Sequence, residues 1–285
     1  MKTKFLATGL LVCLALIGVS QLQAETFDSD GAEIAYTVEG AGEPVVLIHG
    51  FVLNSDTNYR APGIIAGLAS DYQVIAIDAR GHGQSMKSHD PADYGEHMVR
   101  DVINLLDHLG IEKAHVAGYS MGGMITQKLV VDYPERLLSA VVAGAGWSSE
   151  GMEGFGLPIA QSLESGNGLG PLIIGLNPVG QPVPTAEQIA AINAMILAGN
   201  DPLALAAAAR GFDAFIQVAE ADLRANQVPV LYVAGLLDPI NEGAELAAGV
   251  ASHAQYVGIP DSDHMTAIAN PALLTAIKNF LDEPD

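Results

Sequence analysis

The sequence predicts an α/β fold with a mostly parallel central sheet flanked by helices. Three observations lead there. Short continuous apolar runs such as Val45-Val46-Leu47-Ile48 have the make-up of strands buried on both faces. Segments with apolar residues at helical spacing alternate with those runs, the order that places helices over a parallel sheet. Of the 285 residues, 49% are hydrophobic and 16% charged, which suits a sizeable core and excludes a disordered, collagen-like or coiled-coil chain.

The first elements are not part of that pattern. Lys2 and Lys4 precede an apolar run over residues 5–19, and small and polar residues follow to Ala24. This is the layout of a secretory signal peptide over residues 1–24, cut after Ala24. The run is short for a spanning helix, which needs ~20 apolar residues, although a retained membrane anchor is the rival reading. Cys13, the only cysteine, lies inside the segment. The processed chain would therefore have no disulfide, thiol nucleophile or Cys-bound metal. The expected product is secreted or periplasmic, with no stable membrane anchor after processing.

Residues 26–28 and 34–38 read as a hairpin around Ser29-Asp30-Gly31, and Gly40-Ala41-Gly42-Glu43-Pro44 breaks the pattern before the run at 45–48. Residues 73–77 form another strand. Met98, Val102, Leu105, Leu106 and Leu109 make one apolar helical stripe that Gly110 ends. Residues 114–118 form a strand, followed by a helix over 121–133 that Pro134 stops. Strands follow at 137–143 and 228–234, with a weaker one at 255–259. Residues 271–281 form a closing helix capped by Asn270, with Pro271 in its first turn. The 146–227 stretch is far longer than a crossover needs, so it reads as a lid inserted between core segments 25–145 and 228–285. Its first half is rich in Gly and Pro. Its second half holds two helices, one started by a Thr185/Gln188 capping box and one by Asp201-Pro202.

The strongest chemical signal is Gly118-Tyr119-Ser120-Met121-Gly122, followed by Gly123, between a strand and a helix. A sharp strand-to-helix turn holds a serine in a strained conformation, and only small neighbours fit beside it. The turn lifts the hydroxyl into a cleft and aims the Met121 N–H and the helix N-terminus at the same space, where an oxyanion can sit. The competing reading is a glycine-rich turn with a solvated serine. A serine needs a base. His264 follows Pro260-Asp261-Ser262-Asp263 on a loop just after the last strand, whereas His89, His108 and His253 have no such placement. His97 and His115 read as structural. The base needs an orienting carboxylate. Asp238, on a loop after the 228–234 strand, is preferred over Asp261 and Asp263, because neighbours on one short loop rarely face the imidazole.

On these residues the chain resembles the alpha/beta-hydrolase superfamily, with nearly the whole processed chain covered. Ser120, Asp238 and His264 stand in its chain order of nucleophile, acid and base. His49-Gly50-Phe51, the stretch Asp78-Ala79-Arg80-Gly81-His82-Gly83-Gln84-Ser85, Tyr133-Pro134-Glu135-Arg136 and Ala209-Arg210-Gly211-Phe212 are similar to family segments too. The resemblance implies that the backbone N–H groups of Phe51 and Met121 form the oxyanion hole, and that Asp78, Arg80 and His82 belong to a structural loop. A serine at 120 argues against dehalogenase and epoxide-hydrolase branches, whose nucleophile is a carboxylate. Gly-Tyr-Ser-Met-Gly-Gly is similar to carboxylesterases, enol-lactone hydrolases and cofactor-free peroxidase-like members.

The expected activity is that of an exported serine hydrolase, of the carboxylesterase kind, on small or medium esters. Its expected partner is a small-molecule ester, with no cofactor and no metal. Enol-lactonase or C–C bond hydrolase activity on a carboxylated metabolite, or the activity of a peroxidase-like member of the superfamily, is the alternative. A carboxylated metabolite needs a pocket cation, for which the lid offers Arg210 and, near its end, Arg224. A non-catalytic ligand-binding protein is the third reading, opposed by the intact set of three groups. With 12 Lys and Arg against 33 Asp and Glu, a net charge of −21, the chain is poorly suited to a phosphate backbone, so no nucleic-acid partner is expected. From the lid, Leu157, Ile159, Leu172, Ile173, Ile174, Leu176, Ile196, Leu203 and Phe215 are the candidates for an acyl pocket.

Overall fold

The computed structural model describes residues 24–283. The leader-like segment, with Lys2, Lys4 and Cys13, lies outside the described residues apart from Ala24.

Eight strands form one sheet: β1 (Glu25–Ser29), β2 (Ala32–Gly40), β3 (Glu43–Ile48), β4 (Tyr72–Ile77), β5 (Ala114–Tyr119), β6 (Leu137–Ala143), β7 (Val230–Gly235) and β8 (Ala254–Ile259). Their spatial order is β1-β2-β4-β3-β5-β6-β7-β8. The β1/β2 and β2/β4 pairs are antiparallel and all others parallel. The hairpin turns at Asp30-Gly31, both at positive φ. Glu43 and Pro44 belong to β3, Glu43 pairing with Tyr72, so the strand starts earlier than its apolar run.

Eleven α-helices are described: α1 (Ile64–Leu68), α2 (Glu96–Leu109), α3 (Met121–Asp132), α4 (Leu157–Glu164), α5 (Gly170–Gly175), α6 (Ala186–Leu197), α7 (Pro202–Arg210), α8 (Asp213–Ile216), α9 (Glu220–Ala225), α10 (Asn241–Val250) and α11 (Pro271–Leu281). The continuous apolar runs have a direct cause. Val46 and Ile48 pack with α2 and α3, while Val45 and Leu47 pack with α1 and α11. Alternate residues of one strand thus enter two cores, so both faces must be apolar. Gly110 ends α2 in the left-handed conformation at φ 69°, and Asn270 accepts from the Ala272 N–H to cap α11.

Six helices, α4 to α9, lie between β6 and β7. The Thr185/Gln188 capping box and the Asp201 cap are both formed. The Gly- and Pro-rich first half carries α4 and α5, each with a proline in its first turn, where the missing N–H costs nothing. Among the described residues no single helix is long and apolar enough to cross a membrane.

The loop after β4 is a buried polar brace. Arg80 donates from Nε and Nη2 to both carboxylate oxygens of Asp101, and Asp78 accepts from Ser55 and from the Gln84 N–H. His82 is fully buried; its Nδ1–H donates to the Arg80 carbonyl, and its Nε2 meets no partner among the described residues. Burial, reinforced by His49, lowers its pKa from the ordinary 6.5 to about 3. Burial also lowers that of His49. Between these values the unfolded chain binds a proton that the native chain refuses. The stabilisation is complete above about pH 6.5 and is lost as the pH falls toward about 3. We expect urea midpoints to drop between pH 7.5 and 5, with a slope of up to ~1.4 kcal/mol per pH unit from His82. His82→Gln should flatten that slope. An equal slope in the variant would assign the acid lability elsewhere.

Candidate active site

β5 delivers Ser120 into the turn before α3, at φ 54° and ψ −116°, a region that costs a non-glycine residue about 1–3 kcal/mol. The glycines of the turn follow from contact distances. A Cβ on Gly118 would lie 1.9 Å from the Gly122 carbonyl oxygen, and one on Gly122 would lie 1.9 Å from that of Ile48. The start of α3 is therefore pressed between β5 and the end of β3, and no side chain fits.

Two loops at the same carboxyl edge of the sheet supply the other groups. The Ser120 Oγ–H donates to His264 Nε2 over 2.9 Å. His264 Nδ1–H donates to Asp238 Oδ2 over 2.8 Å. Asp238 is 1% exposed, and its second oxygen accepts from the Ile240 N–H. The three groups predicted from sequence therefore meet, although 144 residues separate the serine from the imidazole. Asp263, the closer acid in sequence, lines the cavity but does not bond the imidazole. Its Oδ1 accepts from the Met265 and Thr266 N–H groups and shapes the loop.

The Phe51 loop lies across from the serine, since a Cβ on Gly50 would stand 3.3 Å from Ser120 Cβ. The Phe51 and Met121 N–H groups donate to no acceptor among the described residues, and Met121 opens α3, where the first N–H groups have no intrahelical partner. Both are therefore available to an oxyanion. His49 fixes the start of this loop. Its Nε2 accepts from the Ala79 N–H, so the proton sits on Nδ1 and is donated to the Gly50 carbonyl. It is a brace and not a second base.

Two supporting residues escaped sequence reasoning. The Asn58 carboxamide oxygen accepts from the Gly50 N–H at 2.7 Å, inside a short π-helix at Asp56–Arg60. The Tyr119 hydroxyl donates to the backbone carbonyl of His264 at 2.5 Å. Burial, together with the charge of Asp238, pushes the Tyr119 pKa well up and keeps the phenol a donor. Neither residue carries a sequence signal, because each acts through backbone atoms of distant loops. The remaining histidines sit apart: His89 pairs with Asp201, and His115 bonds Ser139.

A cavity of about 310 Å³ opens on Ser120 and His264. Of the lid candidates, Leu172, Ile173, Leu176 and Ile196 line it. The others do not. Leu157, Ile174 and Leu203 are exposed, while Ile159 and Phe215 are buried in the core. Ile192, Pro178 and Pro184 line it without having been expected. Among the described residues no Lys or Arg faces the cavity. Arg210 is held by both oxygens of Glu164, and Arg224 pairs with Glu220. Among the described residues no group of three or more His, Cys, Asp or Glu could hold a metal ion.

A sequence model of the alpha/beta hydrolase fold matches residues 43–161. A protein of Azorhizobium caulinodans, provisionally named carbamate hydrolase RutD, is 38% identical over 41% of this chain and 42% of its own length. The chain thus spans less than half the length of the curated relatives it matches. Among solved structures, an enol-lactonase from Burkholderia xenovorans LB400 superposes with a TM-score of 0.75 at 23% identity, over 91% of this chain and 100% of the other. A thermophilic esterase from Thermogutta terrifontis superposes with a TM-score of 0.71 at 26% identity, over 91% and 98%.

Proposed function

We propose that this chain, which has the alpha/beta-hydrolase fold, is a serine hydrolase cleaving small or medium uncharged carboxylic esters through an acyl-enzyme. The observation that carries this reading is the unbroken line from Asp238 through His264 to Ser120 at the floor of an apolar cavity.

In the proposed reaction Ser120 Oγ bonds to the ester carbonyl carbon while its proton passes to His264 Nε2. Asp238 holds the proton on Nδ1 and stabilises the imidazolium. The carbonyl oxygen takes the charge and accepts from the Phe51 and Met121 N–H groups, each worth about 3 kcal/mol to the transition state. His264 then gives its proton to the departing alkoxide. Water repeats the cycle on the acyl-serine, releasing the acid. The likeness to the esterase at 26% identity supports this reading, and the leader-like first residues support export of the enzyme.

The absence of a cation from the cavity lining favours an ester over the carboxylated substrates of an enol-lactonase or C–C bond hydrolase. Nitrophenyl butyrate should be turned over at least about tenfold more efficiently than a nitrophenyl ester whose acyl chain ends in a carboxylate, since a charge entering an apolar cavity unpaired costs more than the 1.4 kcal/mol that tenfold represents. Equal turnover of the two, or none of any ester, would remove the reading.

A further inference from the structure

A second apolar cavity, of about 340 Å³, lies on the other side of α5. It is bounded by Met124, one turn below Ser120 on α3, and by Ile240, two residues past Asp238. The wall between the two cavities is narrow. Leu172 on α5 and Leu176, which caps the helix one turn further on, line both; Ile173 lines only the catalytic cavity, and Pro171 and Gly175 only the second. None of the side chains of α5 is fully buried, Leu172 and Ile173 pack against the core, and a glycine stands at each end of the helix.

We propose that the two cavities are one acyl-binding cleft divided by Leu172 and Leu176. These two side chains set the chain length of the acyl group, and the second cavity is its latent continuation. The proposal rests on the ester-hydrolase reading and specifies its substrate class. The wild-type acyl group is short, linear and uncharged, and ends against the two leucines. Several methylenes beyond that point find no room until the wall is cut back. Each methylene then gains apolar burial in the space lined by Met152, Phe155 and Ile159. Among the described residues the one charged side chain of the second cavity, Glu153, is a carboxylate, so the extended cleft still refuses acids.

The test is kcat/KM along a series of nitrophenyl esters from acetate to dodecanoate. For the wild-type protein the decanoate-to-butyrate ratio should fall to about one tenth or lower. In Leu172→Ala/Leu176→Ala the ratio should rise at least about tenfold, the worth of roughly two buried methylenes. Adding Met152→Trp, which fills only the second cavity, should cancel that rise. A ratio unmoved by the double substitution, or one that Met152→Trp leaves high, would overturn the proposal. An activity-free readout separates it from the esterase reading. Calorimetric binding of decanol should be at least about tenfold tighter in the double variant than in wild type. Equal decanol affinities refute the divided cleft, whereas failure of every ester with tighter decanol binding refutes only the esterase reading.

Discussion

Ser120→Ala is expected to lower kcat for ester hydrolysis by about a million-fold, the loss seen when a Ser-His-Asp enzyme is deprived of its nucleophile. The reason is geometric. Among the described residues the serine hydroxyl is the only nucleophile that His264 Nε2 reaches, and the turn holds it at a backbone angle that few residues adopt. A residue of about a thousandfold over water should persist, because the Phe51 and Met121 N–H groups still bind an oxyanion. The fold should survive. The substitution removes one hydrogen bond and leaves the backbone angle and its cost unchanged, so the melting temperature should stay within a few degrees. Steady-state kinetics with a nitrophenyl ester, alongside a thermal melt, check both statements. A variant that kept a tenth of the activity would remove Ser120 from the chemistry.

Asp238→Asn is expected to cost about ten-thousandfold in kcat while leaving the fold intact. The asparagine oxygen can still accept from the Ile240 N–H, so the loop keeps its shape. Its amide would then donate toward His264 Nδ1, moving the imidazole proton to Nε2, where it blocks acceptance from Ser120. Burial sharpens the effect, since water does not reach Asp238 to take over its role. Comparing kcat and melting temperature for the variant tests this directly. A loss below tenfold would mean that another carboxylate orients the base, although Asp263 is already committed to its own loop.

The sheet and the meeting of Ser120, His264 and Asp238 were legible in the sequence for the same physical reason. Strands that feed two cores must be apolar on both faces, and a strand-to-helix turn this tight admits only glycine two positions to either side of the serine. Such constraints act locally and leave local marks. Asn58 and Tyr119 left none, because their partners are the backbone groups of Gly50 and His264. The Gly- and Pro-rich start of the insertion concealed α4 and α5, whose prolines stand where a helix tolerates them. α10 is interrupted by glycines at 243 and 249, each a cost to a helix interior, and it packs against β7 and β8. The cavity lining was half legible. Apolar character marked Leu172 and Ile196 correctly, but the same character on Leu157 and Phe215 serves the surface and the core. Which face of a lid helix meets substrate is decided by how the helices pack, and periodicity does not contain that information.

The central claim is that Ser120 is activated by His264 and Asp238. Labelling with a fluorophosphonate, followed by peptide mapping, tests it most directly. The account predicts a single adduct on Ser120, rapid in the wild-type protein, much slower in Asp238→Asn and absent in Ser120→Ala. An adduct on any other side chain, or undiminished labelling of Ser120→Ala, would contradict it.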